Sequence, residues 1–214
     1  MLWILSTVVL MADNGQRHLF EHLGTENGLS HSHVSGMLKD RQGFMWFATW
    51  DGLNRYDGNA FVTFKPGDNH PGASNRIDGL SEDGHGNIWV TTVDRKAYRL
   101  NRLTERFEAL PPLPGKPTPP TIGSLTHTPR GDTWIILPGH GACRIVTNPT
   151  NNQTTVESFN EQSSIPLPDN HVTHIIEDTG GSVWLAGAKS VTCLSQDSVN
   201  HGMTPVPLRT MPSY

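Results

Sequence analysis

The sequence predicts an all-β fold, a β-propeller of four-stranded antiparallel blades, with about four blades present in an incomplete ring. A phrase of the form D-x-x-G-x-x-W occurs in four copies along the 214 residues, the third with a threonine in place of the aspartate, and the tryptophans of these copies lie 43, 45 and 50 residues apart. The composition, with 35% hydrophobic residues, 21 glycines and 16 prolines, is typical of short strands joined by tight turns. Units of about 40–50 residues with four strands each indicate propeller blades.

Each repeat contains a hairpin followed by a tryptophan. Its aspartate can accept hydrogen bonds from backbone N–H groups two or three residues further on, and its glycine supplies the positive φ that closes the turn. Thr128 replaces this aspartate in the third copy. We expect each tryptophan to pack between neighbouring blades, where a large ring fills the wedge between two twisted sheets. The four tryptophans are Trp46, Trp89, Trp134 and Trp184.

The repeats and their flanks divide the chain as follows. We expect a partial propeller over residues 13–214, with blades at about 28–66, 72–110, 118–161 and 167–206. The outer strand of the last blade is indistinct. Segment 17–23 has the character of an outer strand without a blade to join, so we expect the ring to belong to a longer protein. Segment 111–120 holds six prolines and predicts a stiff link between blades, or alternatively a docking segment for an aromatic groove.

The first twelve residues differ from the rest. An uncharged, mostly apolar run of 11 residues covers 2–12, which is too short for a bilayer span of about 20 residues. It predicts a signal peptide over residues 1–12, with a buried strand as the alternative, although no lysine or arginine precedes it. If the signal is cleaved, the chain begins near Asp13 and works outside the cytoplasm.

Net charge, cysteine positions and the lack of catalytic motifs reduce the range of possible functions. The net charge of −4 gives no reason to expect nucleic acid or an anionic membrane surface as partner. Cys143 and Cys193 fall on the third strands of different blades, too far apart for a disulfide, so we expect free thiols. The sequence has no cofactor motif, nucleophile elbow or phosphate loop, and we expect no catalytic residue and no cofactor.

Three side chains form the candidate ligand site. His33 and His171 stand at the same place in their repeats, seven residues before the aspartate, and Arg76 holds this place in the second repeat. This place is the entry of the innermost strand, near the axis, where a propeller gathers side chains from several blades. The alternative is that these residues are solvated and cap the strand starts. We expect no metal, because no carboxylate or thiol lies at ligand spacing beside these histidines.

The first repeat carries a specific resemblance. The segment GFMWFATWDGLNRYDG, residues 43–58, resembles two-component regulator propeller repeats. The similarity is strong over 17–65, good over 72–110 and 167–195, and weak over 118–160. The resemblance implies the N-terminal part of the periplasmic sensor region of a hybrid two-component sensor histidine kinase-like protein.

The resemblance also implies function and partners. It implies a non-catalytic, extracytoplasmic module that senses a small molecule, often an oligosaccharide. The output would be a histidine kinase or, alternatively, a diguanylate cyclase, reached through a membrane segment of the parent protein. The sequence has no phosphoacceptor helix, ATP-lid glycine motif or receiver domain. The implied partners are further propeller blades, the signalling domains and, in a homodimer, a second copy.

Two other functions remain open. Propeller lyases share D-x-x-G-x-x-W blades and need a His/Glu acid–base pair. His174 and Glu177 are close in sequence but point differently along a strand. A free lectin or scaffold would require a ring that closes within this chain, and the unpaired segment 17–23 argues against such closure.

Overall fold

Four antiparallel sheets of four strands each make up the described part of the fold. The computed structural model describes residues 22–112, 120–147, 154–188, 190–196 and 203–206. Each sheet takes four strands that follow one another in the chain, which confirms the predicted fold of four-stranded antiparallel blades. The strands are β1 Val34–Lys39, β2 Met45–Thr49, β3 Gly52–Tyr56, β4 Phe61–Phe64, β5 Ile77–Glu82, β6 Ile88–Thr92, β7 Ala97–Asn101, β8 Arg106–Ala109, β9 Ser124–His127, β10 Thr133–Leu137, β11 Gly141–Thr147, β12 Thr154–Phe159, β13 Val172–Glu177, β14 Val183–Gly187, β15 Val191–Gln196 and β16 Met203–Val206.

The aspartate of the repeat closes the hairpin between the first two strands of a blade. In the first blade, Asp40 Oδ1 accepts the backbone N–H groups of Gln42 and Phe44, both at 2.9 Å. Gly43 adopts φ 94°, a conformation that a residue with a side chain rarely takes. The turn chemistry predicted for the repeat is therefore present.

The same aspartate also accepts a hydrogen bond from the tryptophan six residues later. Asp40 Oδ2 accepts Trp46 Nε1–H at 2.7 Å, and the corresponding distance from Trp89 to Asp83 is 2.8 Å. In the fourth blade Trp184 donates to Asp178 at 2.8 Å. One carboxylate thus fixes both the hairpin and the orientation of the indole ring.

The third blade lacks this bond. Thr128 occupies the aspartate position, and its hydroxyl is too short to reach the indole. Trp134 Nε1 and Thr128 Oγ1 are both buried, and neither has a hydrogen-bond partner among the described residues. A buried donor or acceptor left unpaired costs about 1–3 kcal/mol, so the third blade carries a local defect.

Three of the repeat tryptophans lie between blades, as predicted. Trp46 packs on Ile77 and Ile88 of the second blade and is 1% exposed. Trp89 packs in the same way against the third blade, and Trp134 against the fourth. The hydrophobic core is therefore a series of layers between sheets.

The hairpins also link neighbouring blades at one end of the sheets. A β-carbon at Gly84 would collide with the backbone of Gly131 in the next blade. Arg41 donates to the carbonyl of Gly84 at 2.6 Å, and Arg130 donates across the next seam to Glu177 at 3.0 Å. The absence of a side chain at Gly84 permits this close approach.

The two ends of the series are uncovered. Trp184 is only half-buried, and Ile176 on the same face is 64% exposed. On the outer face of the first blade, Met37 is 69% exposed. Within the described residues, no hydrophobic cluster joins the fourth sheet to the first. The described blades form an open arc, which agrees with the expected incomplete ring.

Several predictions fall on chain that the structure describes only in part. The signal peptide over 1–12 lies outside the described residues. Of segment 17–23, only residues 22 and 23 are described, and they form no strand. Most of segment 111–120 also lies outside. The fourth blade does have an outer strand, β16, which the sequence left indistinct.

The unpaired indole of the third blade makes a testable prediction. The substitution Thr128→Asp supplies the missing acceptor for Trp134 and should raise the free energy of unfolding by about 1–3 kcal/mol. The reverse substitution in the second blade, Asp83→Thr, should lower it by more than this, because Asp83 also accepts hydrogen bonds from His85 and Asn87 in the turn. Urea denaturation measures both. A loss of stability in Thr128→Asp would show that Trp134 does not require this partner.

The aspartates also predict how stability depends on pH. Burial raises the pKa of Asp83, but hydrogen bonds from Trp89, Asn87 and the backbone outweigh burial and hold the pKa below its ordinary value of 3.8. The pKa of Asp40 is lowered by the same balance of burial and hydrogen bonds. Folding therefore favours the charged carboxylate. This stabilisation is complete above the ordinary pKa and is lost as the pH falls through the lower pKa of the folded state.

We therefore expect the free energy of unfolding to decrease from about pH 5 downward, with a shallower decrease in the Asp83→Asn variant. Urea titrations at a series of pH values measure both slopes. Parallel slopes for the wild type and the variant would contradict the assignment to Asp83.

Candidate ligand-binding site

An exposed tryptophan lies at the seam between the first two blades. Trp50 occupies the β2–β3 turn and is 39% exposed. The centroids of the His33 and Trp50 rings lie 4.0 Å apart, and the guanidinium carbon of Arg76 lies 4.2 Å from the centroid of the Trp50 ring. The centroid of the His31 ring lies 5.8 Å from that of the Trp50 ring. We call these four residues the Trp50 cluster.

The first blade holds the segment that carries the two histidines. Ser30, just before them, receives a hydrogen bond from the buried Asn54 at 2.7 Å and donates its backbone N–H to the same side chain at 3.0 Å. Its hydroxyl also contacts that of Thr49 at 2.9 Å. The segment is thereby fixed to β3 and to the end of β2, beside the Trp50 turn.

Hydrogen bonds to both blades position Arg76. The backbone N–H of Gly52, which follows the Trp50 turn, donates to the carbonyl of Asn75 at 2.9 Å. The carbonyl of Arg76 itself accepts the N–H of Val93, in the second blade, at 3.1 Å. The arginine thus belongs to the second blade but lies over an aromatic ring of the first.

Nearby acidic side chains already have partners. Asp51 Oδ2 accepts from Lys65 Nζ at 2.7 Å, and Asp78 Oδ1 accepts from Thr91 Oγ1 at 2.6 Å. No ion pair in the described part of the chain includes Arg76. The surface around Trp50 therefore combines a partly exposed aromatic ring with an arginine that forms no ion pair among the described residues.

The structure brings two of the three predicted site residues together. His33 and Arg76 meet through Trp50. His171 lies at the entry of β13 in the fourth blade, and its closest charged neighbour is Asp169, with Nδ1 3.9 Å from Oδ1. None of the contacts among the described residues links His171 to the Trp50 cluster.

The sequence analysis did not single out Trp50. The repeat drew attention to the four tryptophans in register, and Trp50 lies four residues after the first of them. The equivalent turn positions hold Val93, Pro138 and Ala188. The sequence did contain a signal for Trp50. It is an aromatic residue outside the repeat register, at a turn where the other three repeats have no aromatic residue.

The two residues that a lyase mechanism would pair do not meet. Glu177 forms an ion pair with Arg130 in the seam between the third and fourth blades. His174 pairs with Ala186 across the sheet and lies on the opposite face, where its Nδ1 contacts Thr173 at 3.0 Å. They are not placed for joint acid–base chemistry.

Another histidine forms part of a polar link between blades. His127 Nε2 contacts Ser81 Oγ at 2.8 Å, and His127 Nδ1 contacts Thr133 Oγ1 at 2.9 Å. Burial lowers the pKa of His127, although Asp83 acts in the opposite direction. The neutral ring can donate at one nitrogen and accept at the other, which matches its two hydroxyl partners.

The cysteines are buried free thiols. Burial raises the pKa of Cys143 to about 12, and burial followed by the charge of Asp178 raises that of Cys193. Both therefore stay protonated at neutral pH, which makes them poor nucleophiles. Among the described residues, no group of three or more His, Cys, Asp or Glu side chains is placed to hold a metal ion.

Comparison with a known family decides the nature of the first repeat. Residues 28–51 match the family model described as two component regulator propeller. Residues 28–51 are therefore similar to a two-component regulator propeller repeat. They include His31, His33 and Trp50, so three of the four members of the Trp50 cluster lie within the matched residues. The match confirms the resemblance that the sequence indicated.

Solved structures share the propeller fold at low identity. One is described as the extracellular domain of a hybrid two component system, BT4673, from B. thetaiotaomicron, with a TM-score of 0.50, 18% identity, and coverage of 90% of this chain and 27% of that chain. PorZ, a surface component of the type-IX secretion system of Porphyromonas gingivalis, has a TM-score of 0.51 and 15% identity, with coverage of 82% and 26%.

Virginiamycin B lyase from Staphylococcus aureus is also similar, with a TM-score of 0.48, 15% identity, and coverage of 81% of this chain and 55% of the lyase. No curated protein matches the chain. The chain spans about a quarter of the BT4673 and PorZ structures. Among the described residues, no helix has the length and apolar character that crossing a membrane requires.

Proposed function

We propose that the chain is an extracytoplasmic, periplasmic sensing module of a two-component signalling system, and that it is not an enzyme by itself. The observation that carries this proposal is the Trp50 cluster, which lies at a seam between blades and largely within the regulator propeller repeat. The extracellular location of the BT4673 domain and the surface location of PorZ support a place outside the cytoplasm. The output of the whole protein would be a histidine kinase.

The chemistry of the cluster favours an oligosaccharide as the ligand. A sugar ring has an apolar face that packs on an indole ring, and hydroxyl groups that need polar partners around it. Trp50 is 39% exposed, and Arg76 and His33, which lie against its ring at 4.2 and 4.0 Å from the centroid, offer N–H donors beside the exposed part of the indole. Sites with a large aromatic surface and a few converging polar groups are typical of small-molecule binding.

The position of the cluster suggests how binding becomes a signal. His33 and Trp50 belong to the first blade, whereas Arg76 belongs to the second. A ligand that contacts both blades binds one arrangement of the seam more tightly than another, and this difference in affinity shifts the population. A membrane segment of the parent protein would pass that shift to the output.

The uncovered faces favour further blades as partners. The half-buried Trp184 has the same orientation as Trp46, Trp89 and Trp134, which the following blade covers. We propose that a further blade covers Trp184 in the whole protein. A second copy of the chain, forming a homodimer, is the alternative partner for this face.

The function predicts the effect of removing the exposed indole. Trp50→Ala should reduce the affinity for a bound oligosaccharide at least tenfold, because the ring face is lost while the fold keeps its buried core. Leu103→Ala is the matched control, since Leu103 is 94% exposed and lies in the β7–β8 turn. A glycan array followed by titration calorimetry measures binding. Equal binding by Trp50→Ala and the wild type would refute the site.

A further inference from the structure

An open cleft lies between the innermost strands of the second and third blades. Its volume is about 450 Å³, within the range of about 300–1,000 Å³ that small-molecule sites occupy. Four consecutive residues line it on each side, 78–81 in β5 and 122–125 at the start of β9. Because neighbouring residues of a strand point to opposite faces, a cavity lined by consecutive residues runs along the strand edges. We call this cavity the second-seam cleft.

The seam between the first two blades shows why this cleft is open. Ser35 lies five residues before its repeat aspartate, and its hydroxyl donates across the seam to the carbonyl of Ile77 at 2.7 Å. Asp78 holds the same place in the second blade, but it accepts from Thr91 of its own blade at 2.6 Å. In the described chain no hydrogen bond joins Asp78 to the third blade, so the two strand edges stay apart.

Two opposite charges border one end of the second-seam cleft. Asp78 follows Ile77, which pairs with Thr92 across the sheet. Arg95 lies in the β6–β7 turn, where its backbone N–H donates to the carbonyl of the same Thr92 at 2.8 Å. Both charged residues are exposed, and neither belongs to an ion pair among the described residues. An anion and a cation are thus available at the same end of the cleft.

The backbone of Arg95 is unusual. It has φ 60°, in the left-handed region that residues with a side chain rarely adopt. Gly52 holds the equivalent place in the first blade, six residues after the repeat tryptophan, and has φ 109°. Non-glycine residues in this conformation cluster at functional sites. The carbonyl of Arg95 accepts the backbone N–H of Ile122 at 2.9 Å, which fixes the turn to the third blade beside the cleft.

The rest of the second-seam cleft is largely apolar. Leu80 and Leu125 line it from opposite blades and are half-buried, and the buried Ile122 lies on the third-blade side. Ser81 and Ser124 add hydroxyl groups to the lining. A large apolar group that enters the cleft would cover the exposed parts of both leucines.

We propose that the second-seam cleft binds a free α-amino acid with a large apolar side chain. Arg95 binds the carboxylate through its paired N–H groups, and Asp78 binds the ammonium group. Both charges of an α-amino acid are attached to one carbon atom, which matches two charged residues at one end of the cleft. The side chain then extends between Leu80 and Leu125. This site shares no residue with the Trp50 cluster and is a second ligand site beyond the proposed function.

The test uses the full chain and three forms of one amino acid. L-Phenylalanine carries both charges, its amide lacks the carboxylate, and N-acetyl-L-phenylalanine lacks the ammonium group. L-Leucine and its two derivatives form a second set. Titration calorimetry should give a Kd of about 1 mM or lower for at least one of the two amino acids, and binding at least about tenfold weaker for each of its derivatives.

Variants assign each charge to its residue. Arg95→Asn should remove the preference over the amide, and the left-handed turn should persist, because asparagine adopts this conformation more readily than most residues. Asp78→Asn should remove the preference over the N-acetyl form and keep an acceptor for Thr91. Arg106→Asn is the matched control, since Arg106 is an exposed arginine on the outer strand β8, and it should bind as the wild type does. Circular dichroism checks the fold of each variant.

Three results would overturn this proposal. The first is that neither amino acid binds, and the second is that the derivatives bind as tightly as the parent amino acid. The third is that the preference over the amide persists in a folded Arg95→Asn variant, because the carboxylate would then bind elsewhere. Oligosaccharide binding at the Trp50 cluster is measured separately, so none of these results decides the proposed function.

Discussion

Where the repeat has its aspartate, a hydrogen bond from the tryptophan to that aspartate ties the hairpin of a blade to the ring that fills the seam with the next blade. The indole ring must project from the second strand into the space between sheets, and a donor placed there needs an acceptor that does not come from water. The aspartate of the hairpin provides it in three blades, and its other oxygen accepts backbone N–H groups of the turn. Turn, ring orientation and seam are therefore coupled through one side chain.

The candidate site depends on this scaffold. The seam between the first two blades is closed by Trp46 and its apolar neighbours, which places the β2–β3 turn of one blade beside the strand entry of the next. Trp50 and Arg76 meet there, although they are 26 residues apart in sequence. A buried apolar seam below an exposed polar surface is an arrangement that lets a propeller vary its ligand without changing its core.

The repeat made the fold predictable. Spacing, the turn residues and the tryptophan positions follow one pattern in the four units, with Thr128 as the one departure, so the strand order of the blades could be derived from sequence. The hydrogen bond of the indole could not be derived from sequence, because it depends on the direction in which the tryptophan side chain points across the folded hairpin. The sequence analysis assigned the aspartate to the turn alone and therefore did not foresee the defect at Thr128.

The site was predictable only in part. Position within the repeat selected His33 and Arg76, which the structure places around one ring. The same rule selected His171, but equivalence in a repeat says nothing about distance, and His171 lies in the fourth blade. Trp50 has no counterpart in the other repeats, so a comparison of repeats could not find it.

The defect at Thr128 affects the order in which the blades unfold. Blades in a series contact only their neighbours, so the strength of each seam decides where the series separates. The seam between the third and fourth blades contains the unpaired indole, and the fourth blade has no described neighbour on its other side. The fourth blade should detach before the others, while the first two blades and the surface they form together remain folded.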